Sequence, residues 1–184
     1  MTVREKINAI VTTASNFVGY SRTEIGLNKS TEWCAEFVSF CLKAGEEDDV
    51  TSISCNDMYK NMTNSTHWCE PDDMIKTGDV IFFNWCHTWD NGRPLDHVGI
   101  VIDVAHGYVT YVDGNSDSTE IVRMHTRSLD KFDFNHDYPD KYMRLTSYSD
   151  QEEAPQEEAP PQKDTKLDTA ISMLKEVLKI FEEF

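Results

Sequence analysis

Apolar residues along this chain follow a helical period near the amino terminus and a strand period later on. Val3, Ile7, Ile10, Val11, Ala14, Phe17 and Val18 fall on one face of a helix, Thr2 and Glu5 supply a capping box, and Gly19 marks its end. The spacing predicts a helix over 3–18. A second helix is predicted from the inner face Cys34, Phe37, Val38, Cys41 and Leu42, with Ser30 or Thr31 as its cap and Gly45 at its end. A short third helix is expected over 54–62. From Gly78 onward the runs become β-branched and aromatic: Val80-Ile81-Phe82-Phe83, then 98–104, 108–112 and 121–124, separated by turns such as His106-Gly107. Helices first and strands after predict an α+β fold, with the helices packed on one side of a small antiparallel sheet.

The pattern breaks at residue 147. Glu-Glu-Ala-Pro-Gln nearly repeats, no aromatic follows Tyr148 until the terminal segment, and no aliphatic residue larger than alanine appears before 165. Such a stretch buries too little surface to offset its ordering entropy, so 147–164 is expected to be an acidic, Pro/Glu-rich linker after a domain spanning 1–146. Beyond it Leu167, Ile171, Leu174, Leu178 and Phe181 alternate spacings of four and three, the seam of an amphipathic helix over 165–184. Its apolar stripe is broader than a two-stranded seam requires, and a helix of that length is marginal alone in water. Self-association into a trimer or tetramer through 165–184 is the expectation, giving the chain avidity for an insoluble target.

Charge narrows the partners. Residues 1–146 carry 13 basic and 23 acidic side chains, and residues 147–184 carry 4 and 10, so the net charges are −10 and −6. No basic stripe is present to displace counterions from phosphate, which argues against nucleic acid. The charged start Met1-Thr2-Val3-Arg4-Glu5-Lys6 lacks the apolar core of a signal peptide, and no apolar run reaches bilayer length. Synthesis in the cytoplasm without membrane insertion is expected. Five cysteines at irregular spacing fit a reduced compartment rather than a disulfide framework.

Two residues bear the candidate chemistry. Cys34 precedes an amphipathic helix, and His97 opens a strand 63 positions later. A thiol in the first turn of a helix lies at the positive end of the macrodipole, which favours thiolate, and the unpaired N–H groups there suit a developing oxyanion. His97 is the matching general base. Its orienting partner is expected from the next strand, where Asp113-Gly114-Asn115 ends the run and offers either Asp113 or Asn115. Cys41, deeper on the same helix, reads as core.

The blocks Trp33-Cys34-Ala35-Glu36-Phe37-Val38, Gly78-Asp79-Val80-Ile81-Phe82-Phe83, Asp96-His97-Val98-Gly99-Ile100-Val101 and Asp113-Gly114-Asn115 resemble, in order and spacing, the CHAP family of cysteine, histidine-dependent amidohydrolases/peptidases. The resemblance implies a papain-like fold and hydrolysis of amide bonds in peptidoglycan peptides through Cys34, His97 and Asp113 or Asn115. The family commonly has glutamate where this chain has Asp113. Trp33, Trp85 and Trp89 are expected to contact the substrate. No cofactor or metal is expected: His67, Cys69, Cys86 and His87 lack zinc-site spacing, and Cys86, His87 and Trp89 interrupt what in relatives resembles a calcium loop. The implied setting is a phage endolysin that reaches the wall after release. Two alternatives are a cytoplasmic amidase acting on a small peptide conjugate and a non-catalytic phage assembly module.

Overall fold

A computed structural model describes residues 1–28, 32–85, 95–129 and 141–146. The chain divides into two units, Met1–Asp150 and Gln151–Phe184, and every described residue belongs to the first. The linker and terminal helix expected over 147–184 lie outside the described residues, as do Ser30, Thr31 and Trp89.

Helix α1, Val3–Asn16, starts as its capping box dictates: the Glu5 N–H donates to Thr2 Oγ1 at 3.2 Å, and the Thr2 N–H donates to Glu5 Oε2 at 2.7 Å. It buries Ile7, Ile10 and Ala14. A short helix α2, Arg22–Ile25, has its own capping box from Ser21 and Glu24. Helix α3, Cys34–Ala44, runs through the centre with most of its residues buried. Its start differs from the expected cap at Ser30 or Thr31. The cap position is Trp33, which makes no side-chain cap hydrogen bond, so Cys34 is the first helical residue. After a 3-10 turn at Asp48–Val50, helix α4, Cys55–Asn64, begins under the Ser54 hydroxyl, which accepts the Asp57 N–H, and buries Cys55, Met58 and Met62.

Among the described residues six strands follow: β1 Trp68–Cys69, β2 Val80–Phe83, β3 His97–Ala105, β4 Tyr108–Asp113, β5 Arg123–Ser128 and β6 Lys141–Leu145. They form one antiparallel sheet in the order β1-β6-β2-β3-β4-β5. The expected strand at 121–124 begins instead at Arg123, and Ile121 bridges Ser21. Neither β1 nor β6 was anticipated by the hydrophobic pattern.

Strand periodicity sorts the sheet into two faces. Val80, Phe82, Val98, Ile100, Val112 and Met143 share a core with Ile10, Phe37, Val38, Leu42 and Met58 from the helices. Ile81, Phe83, Val101, Val109 and Tyr111 form a second cluster that includes no helical residue. The helices therefore lie on one side of the sheet, and β2 reads as an unbroken apolar run because both its faces are covered.

One polar pair is built into this frame. The Arg144 guanidinium on β6 donates to both oxygens of Asp79, Nε to Oδ1 at 2.8 Å and Nη2 to Oδ2 at 2.7 Å, and its Nη2 also reaches the Met74 carbonyl at 2.7 Å. Asp79 further accepts the Lys76 N–H at 2.8 Å. The pair ties β6 to the turn that launches β2.

Candidate active site

The amino end of α3 meets the carboxyl end of β4 in close contact. Glu36, buried in the first turn, accepts the Asn28 N–H at 3.1 Å and so anchors the chain that leads toward the helix. Trp33 is fully buried and sets an edge on Phe37, with ring centroids 6.4 Å apart. A Cβ at Gly114 would lie 2.2 Å from Trp33 Cζ3, so only glycine lets β4 run this close to the start of α3. That contact places Cys34 beside the end of β4.

His97 opens β3, where the strand register sets Phe83 opposite His97 and Asp113 opposite Gly99. His97 and Asp113 are thus diagonal neighbours on one face of the sheet. Gly99 leaves the intervening space open, since a Cβ there would sit 3.4 Å from Asp113 Cβ. The result is a bond of 2.9 Å between His97 Nε2 and Asp113 Oδ2, with both side chains buried. Trp85 stacks on the imidazole at a centroid distance of 4.0 Å and an interplanar angle of 17°. The carboxylate bonded to the ring is that of Asp113, while Asp96 has a contact with the neighbouring indole residue. Asp96 accepts the Trp85 N–H at 2.9 Å and thereby fixes the stacking indole.

The second carboxylate oxygen is also occupied. His125 Nε2 lies 3.2 Å from Asp113 Oδ1 and 3.2 Å from Ser116 Oγ, and its ring stacks on Tyr111. Asp113 is therefore held between two imidazoles.

Electrostatics divide the cysteines by place. The thiol of Cys55, whose sulfur is 3.6 Å from Cys34 Sγ, donates to Cys34 and lowers its pKa; burial opposes this, and His97 and the Ala35 N–H lower it further, to about 5. Cys55 is correspondingly driven far upward and stays a thiol. Cys41, seven residues along the same helix, is also driven far up, by burial alone. For His97, burial pushes the pKa down, but the Asp113 carboxylate and the Cys34 sulfur outweigh it and raise the value to about 9. For Asp113, burial pushes up and the two imidazoles prevail, so its pKa is lowered. Near neutral pH the site holds a thiolate, an imidazolium and a carboxylate in series. With Nε2 on Asp113, the other ring nitrogen is the one left for sulfur.

The structure brings Cys34, His97 and Asp113 together. Asn115, the other candidate partner of His97, adopts a left-handed backbone with φ 64°, and it is the Asp113 carboxylate that meets the ring. Trp33 corrects the expectation of a substrate contact: with no exposed surface, the ring is the packing partner of Gly114. Trp85 lies against the base, and Trp89 is outside the described residues. Of the zinc candidates, His67 and Cys69 are at the β1 edge, whereas Cys86 and His87 are not described; among the described residues no three potential ligands converge. No helix among those residues is long and apolar enough to cross a membrane.

Sequence reasoning missed His125 and Cys55. A faint signal existed for Cys55, which follows the cap residue Ser54 and opens its helix as Cys34 opens α3. His125 gave none, because only cross-strand pairing opposite Tyr111 carries it to Asp113.

Residues 26–115 match the family model of the CHAP domain. The match is a likeness to the domain of the cysteine, histidine-dependent amidohydrolases/peptidases, and it spans Cys34, His97 and Asp113. Among solved structures the chain is similar to Ly7917, at 16% identity and a TM-score of 0.49, covering 79% of this chain and 63% of that one. It is also similar to Ly7917 solved with the hydrolyzing product of MDP, at 15% identity and a TM-score of 0.47, covering 78% of this chain and 63% of that one. In both comparisons the chain spans less than two thirds of the other protein's length. No curated protein matches the chain.

Proposed function

We propose that the protein hydrolyses an amide bond of peptidoglycan peptides by acyl transfer through Cys34. The observation that carries this reading is a thiolate at the first position of α3 beside a buried imidazole that is itself held by Asp113. In the proposed cycle Cys34 Sγ attacks the scissile carbonyl. N–H groups of the first turn, left free by the helix's own ladder, receive the oxyanion. His97 gives its proton to the leaving amine, and a thioester remains. His97 then takes a proton from water, the hydroxide attacks the thioester, and the collapsing intermediate expels the thiolate. Asp113 stays charged throughout and keeps the ring in place. The wall as substrate class rests on the family whose model residues 26–115 match.

Zymography on purified cell walls tests the reading, with wild type beside Cys34→Ala. Clearing by the wild type alone is expected, and equal clearing by both would overturn it. Mass spectrometry of the released fragments then separates the two candidate bonds: a sugar-peptide amidase frees the amino group of the first stem residue, whereas an endopeptidase frees one within the stem or cross-bridge.

The setting proposed for this activity is phage-type lysis from inside the cell. Cytoplasmic expression should leave cells intact until chloroform opens the membrane, and should then lyse them. Assembly through 165–184 into a trimer or tetramer is proposed from the heptad spacing of that segment. Light scattering on the full chain and on a chain ending at Leu145 tests it, and a monomeric full chain would overturn it.

A further inference from the structure

Cys55 plays no necessary part in the acyl-transfer cycle, yet its sulfur lies 3.6 Å from the nucleophile. Each of the two cysteines is the first residue of its helix, α3 for Cys34 and α4 for Cys55, so two helix amino ends point their thiols at one another. Both are buried, at 2% and 7% exposure. The pair is fastened to the strand that carries the base. Asn56, the neighbour of Cys55, brackets the Leu95 backbone, donating from Nδ2 to the carbonyl at 2.8 Å and accepting the N–H at 3.4 Å, two residues before His97. A packing cysteine needs none of this: Cys41, buried on the same α3, is a free thiol in the apolar core.

We propose that Cys34 and Cys55 form a reversible oxidation site inside the catalytic centre, in which a small hydroperoxide is the oxidant and Cys55 is the resolving thiol. The inference rests on the reading of Cys34 as the reactive thiolate. In the first step Cys34 Sγ attacks the peroxide: an S–O bond forms, the O–O bond breaks, and the departing alkoxide or hydroxide takes the proton of the His97 imidazolium. Cys34 is now a sulfenic acid, and its sulfur is oxidised by two electrons. In the second step Cys55 sulfur attacks Cys34 sulfur: the S–S bond forms, the S–O bond breaks, and hydroxide leaves as water with the Cys55 proton. From contact to bond the sulfurs close by about 1.5 Å.

The disulfide caps the nucleophile and halts hydrolysis, while keeping Cys34 from the irreversible sulfinic and sulfonic states. A dithiol reductant attacks the disulfide and restores both thiols. Peroxide exposure is thereby converted from permanent damage into a stored, recoverable form of the enzyme.

The test uses the full chain, fully reduced and then exposed to a few equivalents of hydrogen peroxide, with free thiols trapped by N-ethylmaleimide before peptide mass mapping. A Cys34–Cys55 linked peptide is expected, with wall clearing lost and then regained in dithiothreitol. Cys55→Ser keeps a hydrogen-bond donor beside Cys34 but cannot resolve it, so its Cys34 should proceed to sulfinic acid, with about tenfold less activity regained than in wild type. Cys34 found as sulfinic acid in the wild type while Cys55 is trapped free, or Cys34 linked to another cysteine, overturns the inference, and these outcomes are read from the wild-type map without any variant. The catalytic reading fails separately, if Cys34→Ala clears walls like wild type. Thiol-dependent clearing with no Cys34–Cys55 linkage defeats the oxidation site alone.

Discussion

Asp79 and Asp113 are both fully buried carboxylates at strand ends, and both are met on each oxygen by nitrogen-bearing side chains, yet they serve opposite ends. Asp79 faces a guanidinium that gives up no proton at any accessible pH. Burial raises its pKa more than Arg144 lowers it, while Arg144 is itself driven further up, so the guanidinium keeps its charge and fastens β6 to the start of β2. Asp113 faces imidazoles, and the nearer one, His97, changes charge near pH 9. The same buried carboxylate is structural when its partner cannot titrate and becomes part of a proton-handling site when its partner can.

Substitution should separate the two regions by the kind of loss, beginning with the largest effect. His97→Gln keeps a donor toward Asp113 but removes the titrating nitrogen, so hydrolysis should fall about 10³–10⁴-fold with stability within about 1 kcal/mol of wild type. Initial rates of wall clearing and urea unfolding measure the two. Asp79→Ala should do the reverse and cost about 1.5–3 kcal/mol of unfolding free energy, because the buried Arg144 guanidinium loses two charge-assisted bonds to a buried carboxylate while Asp73 and the Met74 carbonyl still hold it. If Asp79→Ala instead lost activity at full stability, the comparison would break.

Finer substitutions sharpen it. Asp113→Asn should lower turnover by about 10²-fold, since the ring keeps a polar neighbour but loses the carboxylate that stabilises its charged form. Asp113 raises the His97 pKa, so the wild-type rate should decline as pH rises through about 9, and in Asp113→Asn this alkaline limb should move to lower pH. The acid limb, where Cys34 takes up its proton, should lie near pH 5 in the wild type. An unmoved alkaline limb in Asp113→Asn would show that the carboxylate does not set the charge of His97. Smallest of all, Asn115→Ala should cost about 1 kcal/mol of stability, because it places a side chain without asparagine's local hydrogen bonding at a positive φ.

Local features of the fold were legible in the sequence and non-local ones were not. The box at Thr2 and Glu5 and the inner face of α3 rest on residues within a turn of one another, and both appear as read. Strand β6 was invisible because Lys141 and Arg144 interrupt its apolar pattern. It exists as a strand because β1 and β2 flank it and Asp79 satisfies Arg144. Cys34, His97 and Asp113 could be nominated from residue type and motif; the register of β3 and β4 then accounts for the meeting of His97 and Asp113, and the close approach of Gly114 to Trp33 for the position of Cys34. His125 and Cys55 entered only through pairings that no spacing in the chain encodes. Trp33 was misplaced for a related reason: an aromatic next to a nucleophile looks alike in sequence whether it faces a ligand or the underside of a strand.

The indole stacked on the base also has an optical consequence. A protonated imidazole in face contact accepts an electron from excited indole and quenches its emission, whereas the neutral ring does so weakly. Trp85, 4.0 Å from His97, is therefore a built-in lamp that should brighten as the imidazole loses its proton. Subtracting the spectrum of Trp85→Phe from that of the wild type removes the light of the other three tryptophans. What remains would report the charge on one ring continuously, in intact enzyme, without substrate and without a label.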